Sequence, residues 1–190
     1  MIFRSFILSF FVIFFSSMAF AKCPIEVQFG SSVNNLKSAF NTPADIIPGE
    51  WGLSEVSLEK NDICPNAMFN DLFVTYSFLS NKLVEIKIMA MDAEAFNLIN
   101  WAKNNYGDPT EQTHKGDFVP QNSFMWEMDN KIVFGEYEIS SSEIFQYVKI
   151  VSTEHESLFD EFYENMAKGV DPTYQDRVNK FRRAISNKYE

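Results

Sequence analysis

Residues 71–109, DLFVTYSFLSNKLVEIKIMAMDAEAFNLINWAKNNYGDP, decide the fold. Leu83 to Met89 alternates: Val84, Ile86 and Ile88 point one way, Glu85 and Lys87 the other. That period of two predicts a strand with one wet face. Upstream, Leu72 to Leu79 is rich in β-branched and aromatic residues, with Leu72, Val74, Tyr76 and Phe78 on one side. Ser80-Asn81-Lys82 joins the two runs, and asparagine tolerates the positive φ of a tight hairpin. Asp92 is then read as the N-cap of a helix. Its apolar stripe is Ala95, Ile99, Ala102 and Tyr106, widened by Leu98. Gly107 and Pro109 stop it. Neither hairpin nor helix can bury its apolar side alone, so the remaining chain must cover them.

Upstream of this stretch, Ile25 to Phe29 alternates as a short strand would. Ser31 or Ser32 caps a helix carrying Val33, Leu36 and Phe40, which Asn41-Thr42-Pro43 ends. Residues 44–52 read as a loop, Trp51 to Leu58 as a strand, and Asn61 to Asn70 as a connection. Downstream, Thr110 to Asn122 is polar and predicts a loop. Ser123 to Met128, the turn Asp129-Asn130, and Lys131 to Ile139 predict a second hairpin. Ile144 to Val151 is apolar on both faces, as a central strand should be. Thr153 and Glu156 have the spacing of a capping box for an acidic amphipathic helix bearing Leu158, Phe159, Phe162, Tyr163 and Met166. A last helix follows Asp171-Pro172, with Tyr174, Val178, Phe181 and Ile185 as its stripe and Arg177, Lys180, Arg182, Arg183 and Lys188 around it. It either closes back on the acidic helix or protrudes as an arm for a partner or anionic lipid.

The fold class is therefore α+β. One antiparallel sheet of about five to seven strands carries packed helices and is closed by a C-terminal helical pair. Phe40-Asn-Thr-Pro43 and Tyr106-Gly-Asp-Pro109 both end a helix with an aromatic residue and a proline three positions on, which hints at two helix-plus-meander units. Across Ile25 to Ser152, with its Phe29-Gly30 opening and Tyr106-Gly107-x-Pro109 stop, the chain resembles small exported bacterial proteins of helix-then-meander plan. The β-lactamase inhibitor proteins and the small outer-membrane assembly lipoproteins share that plan. The resemblance implies the architecture and transfers no site residues.

Residues 1–21 read as a signal peptide: Arg4, an apolar run from Phe6 to Phe15, and the small-x-small site Ala19-Phe20-Ala21. Cleavage after Ala21 leaves one α+β domain over residues 22–170 and the basic helix over 171–190. Lys22 precedes Cys23, which departs from a lipoprotein signal, so no stable membrane anchor is expected after cleavage. The expected compartment is the periplasm or the extracellular space. Cys23 and Cys64 are the only cysteines, and in an oxidising compartment they predict one disulfide. Closing a loop of about 40 residues is worth roughly 4 kcal/mol in the chain-entropy model.

Without Arg4 the chain has 15 basic and 26 acidic residues, a net charge of −11. Such acidity disfavours nucleic acid and anionic membrane and suits a cationic protein partner. No nucleophile elbow, zinc-protease motif or phosphate-cradling glycine loop occurs, and no cofactor is expected. His114 and His155 read as surface residues. Glu127, beside Trp126, is the nearest approach to a carboxylate for hydrolysis, but its alternation puts it on the wet face. Met89, Met91, Met125 and Met128 raise a copper-carrier reading, since soft thioethers select Cu(I). Their strand parity argues for core filling, because Met125 and Met128 point to opposite faces. The candidate recognition surface is a set of aromatics: Trp51, Tyr76, Phe78, Trp126, Tyr137 and Tyr147. Together these features predict a non-enzymatic protein-binding or inhibitor-like module, with a carboxylate hydrolase as the alternative and a copper carrier as a third reading.

Overall fold

A computed structural model of the chain describes residues 25–42, 45–65, 69–92, 95–115, 121–140 and 143–169. The signal segment 1–21, Cys23 and the basic segment 171–190 lie outside the described residues.

The first helix, α1 (Val33–Phe40), is bounded as its residues dictate. The Ser32 hydroxyl accepts from the Asn35 N–H at 3.3 Å, and Asn41 closes the helix at φ 49°. The strands β1 (Ile47–Pro48) and β2 (Leu53–Glu59) follow, then a single turn α2 (Lys60–Ile63) that leads into buried Cys64. Next come β3 (Asp71–Leu79) and β4 (Lys82–Asp92), joined by Ser80 and Asn81, both at positive φ (50° and 60°). That pair of left-handed residues makes the tight turn that matches strand twist. The second half holds α3 (Asn97–Tyr106), β5 (Glu111–Lys115), β6 (Gln121–Met128), β7 (Lys131–Ile139) and β8 (Ile144–Ser152), followed by α4 (Glu156–Ala167).

Among the described residues the fold is α+β, with four helices and one open antiparallel sheet. Among the described residues the sheet has eight strands in the order β1-β2-β3-β4-β8-β7-β6-β5, more than the five to seven expected. The additions are the edge strands β1 and β5, short segments whose sequences read as loops. The order is that of two four-stranded meanders joined where β4 pairs with β8, each preceded by a helix, α1 or α3.

Alternation places the core on one face. Leu72, Val74, Tyr76 and Phe78 from β3, Ile86, Ile88 and Ala90 from β4, and Val148 and Ile150 from β8 are buried beneath the helices. From above, α1 supplies Val33 and Leu36, and α3 supplies Leu98, Ile99 and Ala102. Val84 is the extra residue of a bulge opposite Ser77 and Phe78, so both Leu83 and Val84 are buried.

Several expectations are corrected. Residues 25–28 make no sheet ladder. Ile25 is fully buried all the same, and its carbonyl accepts from the Tyr76 hydroxyl at 2.8 Å. Asp92 is the last residue of β4, and the N-cap of α3 is Phe96, without a side-chain cap. The Thr153–Glu156 capping box does not form: His155 is the N-cap of α4, while the Thr153 N–H donates to the Asn130 carbonyl at 3.1 Å. A distant contact has taken the local donor in that case. The polar stretch 110–122 is partly strand, since β5 pairs Glu111 with Met125 through Lys115 with Gln121.

Candidate functional site

The six aromatic residues proposed as a surface do not share a face. Tyr76, Phe78 and Trp126 are buried in the core. Tyr137 is half-buried beneath α3, with its ring 4.6 Å from Phe96 and 6.1 Å from Phe124. Trp126 donates its indole N–H to the Gly107 carbonyl at 2.9 Å, which fixes the end of α3 to β6. Trp51 is half-buried in the β1–β2 turn, edge-on to Phe162 of α4 at 6.5 Å. Only Tyr147 stands among the strand residues of the face opposite α1 and α3.

That opposite face carries the surface the chain does expose. Cross-strand pairing lines up Phe73, Met89 and Tyr147 on β3, β4 and β8. The next row toward that end of the sheet is Asp71, Met91 and Phe145, and the row before is Thr75, Lys87, Lys149 and Phe134. Phe73, Met89, Met91, Phe134 and Phe145 are between 36% and 43% exposed, although all lie on strands in or beside the middle of the sheet. A soluble surface rarely gathers large apolar side chains this way without a use. The signal is present in the sequence, because Phe73, Met89 and Met91 occupy the wet parity of β3 and β4.

Charge frames the strip. Lys87 sits 3.1 Å from Glu55 and 3.2 Å from Glu85, and Lys149 lies 3.9 Å from Glu85 and over the Phe134 ring at 5.4 Å. Partial burial works against the Lys87 charge, but Glu85 and the hydrogen bonds that Lys87 donates to Glu55 and Glu85 outweigh it and raise its pKa. The Tyr147 hydroxyl is pushed up by burial and then by Glu85. With both lysines occupied by carboxylates, the border is acidic: Glu59 and Asp71 on one flank, Glu136 and Glu138 on the other.

The chemical alternatives gain little. Glu127 is exposed on β6, outside any apolar enclosure. A shallow cleft of about 320 Å³ contains Glu26 and Glu154. Glu26 is already engaged there: one oxygen accepts from the Tyr106 hydroxyl and the other from Lys131, each at 2.5 Å. Met89 and Met91 share the open face, but Met125 is three strands away, about 14 Å at normal strand spacing, and Met128 faces the other side. These thioethers cannot converge on one ion. Among the described residues no group of three or more His, Cys, Asp or Glu side chains could hold a metal. His155 bonds to the Ser152 hydroxyl through Nδ1 at 2.8 Å, a local structural contact. His114 belongs to β5 rather than to a loop. No described helix is long and apolar enough to cross a membrane. No known protein family matches this chain, and no curated protein or solved structure matches it either.

Proposed function

We propose that this chain is a non-enzymatic binding module of the periplasm or extracellular space. Its open sheet face takes a basic, amphipathic segment of another protein. The observation that carries the reading is the exposed patch of Phe73, Met89, Met91, Phe145 and Phe134 within an acidic border. An apolar stripe on the partner would cover the strip, and flanking lysines or arginines would meet Glu59, Asp71, Glu136 and Glu138. A helix laid in a shallow apolar track is a common way for such a segment to bind. The negative charge of the chain as a whole favours the encounter with a cationic partner. Export and the Cys23–Cys64 bond belong to the same proposal and rest on the sequence.

The test uses the purified full chain and a labelled synthetic leucine/lysine helix as the basic amphipathic probe. Saturable binding is expected, weakening with added salt. M89E or F145E should weaken it by about tenfold or more, a loss of about 1.4 kcal/mol. M128E, on the other face, should leave it unchanged. Equal affinity in wild type and M89E would remove the face as the binding site.

A further inference from the structure

We infer that the chain carries its own occupant for this face. Residues 171–190 would lie across Phe73, Met89 and Phe145 and compete with an outside partner. The inference rests on reading the open face as the binding site, and it adds the regulation of that site.

Three observations support it. The first is where the described chain leaves the body. α4 contacts β3, and Phe162 rests on Trp51, so α4 lies at the Leu53–Leu79 end of the sheet. Gly169 then takes φ +64°, a left-handed residue that ends a helix and redirects the chain. The second is length. Tyr174, Val178, Phe181 and Ile185 would form a helical stripe about 17 Å long. From Leu79 to Phe73 along β3 is about 20 Å. With residues 170–173 ahead of it, a stripe of that length is long enough to reach the exposed strip from the Leu53–Leu79 end. The third is charge. Arg177, Lys180, Arg182, Arg183 and Lys188 outnumber Asp171, Asp176 and Glu190, whereas acids outnumber bases on the open face. α4 is the competing seat, but it exposes only Tyr163 and Met166 as large apolar side chains, since Leu158, Phe159 and Phe162 are already half-buried.

Hydrogen exchange on the full chain tests the inference. Amides of residues 174–188 should be protected in wild type and lose that protection in F181E/I185E and in F73E/F145E. M89E is a milder third variant, should the double face substitution fail to fold. The leucine/lysine probe should bind F181E/I185E about tenfold more tightly than wild type, because the internal competitor has gone. Unprotected amides in wild type would overturn the inference. So would protection that survives the face substitutions, which would put the segment on α4, or protection that grows with protein concentration, which would make a second copy the occupant. Equal probe affinity in wild type and F181E/I185E would overturn the competition while leaving the face as a binding site. A probe that binds no variant would instead count against the face itself.

Discussion

Gln146 shows how one buried polar side chain replaces several local signals. It has no solvent exposure, and its Oε1 accepts from the Leu98 and Ile99 N–H groups at 3.1 and 3.2 Å. Those are free donors of the first turn of α3, which has no side-chain cap of its own. Its Nε2 donates to Asp92 at 2.9 Å and to the Ala95 carbonyl at 3.1 Å. Q146A strands two donors and one oxygen of the Asp92 carboxylate in the interior, so it should cost about 2–4 kcal/mol in denaturant unfolding and expose the Leu98 and Ile99 amides to exchange. Gly135 makes a similar point about space. A Cβ there would sit 3.0 Å from Trp126 Cζ3 and 3.3 Å from Ile99 Cδ1. Trp126 is held by its bond to Gly107 and cannot easily move away. G135A should therefore lower stability by about 1–3 kcal/mol, with a blue or red shift of tryptophan emission reporting the displaced ring.

Among the elements, the β3–β4 hairpin is the one others are fastened to. Asn81 is left-handed at φ 60°, and its side-chain oxygen accepts from the Val33 N–H at 3.3 Å, so one residue turns the hairpin and also helps to seat α1. The Leu83 amide and carbonyl bond to Ser31 and Gly30 just beyond that turn, tying the same loop to the helix start. N81G keeps the turn and loses the contact, whereas N81A loses the contact and strains the backbone. N81A should be the more destabilising of the two by about 1 kcal/mol, read from paired urea melts. α3 is the opposite case: its stripe was legible, but its start was not. Asp92 looks like a cap in sequence because it precedes an apolar periodic run. In the fold the strand ladder claims it up to its pairing with Ile144, and its carboxylate serves Asn70 and Gln146.

At the scale of the molecule, one face of the sheet is dry and the other is half wet, and titration follows that division. Burial pushes the Tyr76 hydroxyl far up, and burial together with the Glu26 carboxylate does the same to Tyr106. A phenol whose folded pKa exceeds its unfolded value stabilises the fold fully below the unfolded value, near 10.0. That contribution is lost as the pH rises past it. The raised pKa of Lys87 works in the same direction. The chain should thus lose stability above about pH 10, and Tyr76 and Tyr106 should ionise only as it unfolds. Phenolate absorbance and circular dichroism followed together in one alkaline titration check this. The two transitions should coincide for those two side chains.

Elements with a strong period or a local stop signal were legible from the residues alone. These are the β3–β4 hairpin with its Asn81 turn, α1 between Ser32 and Asn41, the β6–β7 hairpin at Asp129-Asn130, and the central place of β8. Each of these is written within a few residues, because alternation, caps and turns are short-range constraints on the backbone. Tertiary structure decided what depends on residues far apart. It paired the short segments Ile47–Pro48 and Glu111–Lys115 as edge strands, for which a neighbour's backbone groups suffice. It also chose which parity of the sheet the helices cover, which sent Tyr76, Phe78 and Trp126 inward and left Phe73, Met89 and Phe145 in view. Alternation already set Ile86 and Ile88 of β4 against Glu85 and Lys87, but the apolar side chains Phe73 and Met89 on that wet side give no local sign of whether another element covers them.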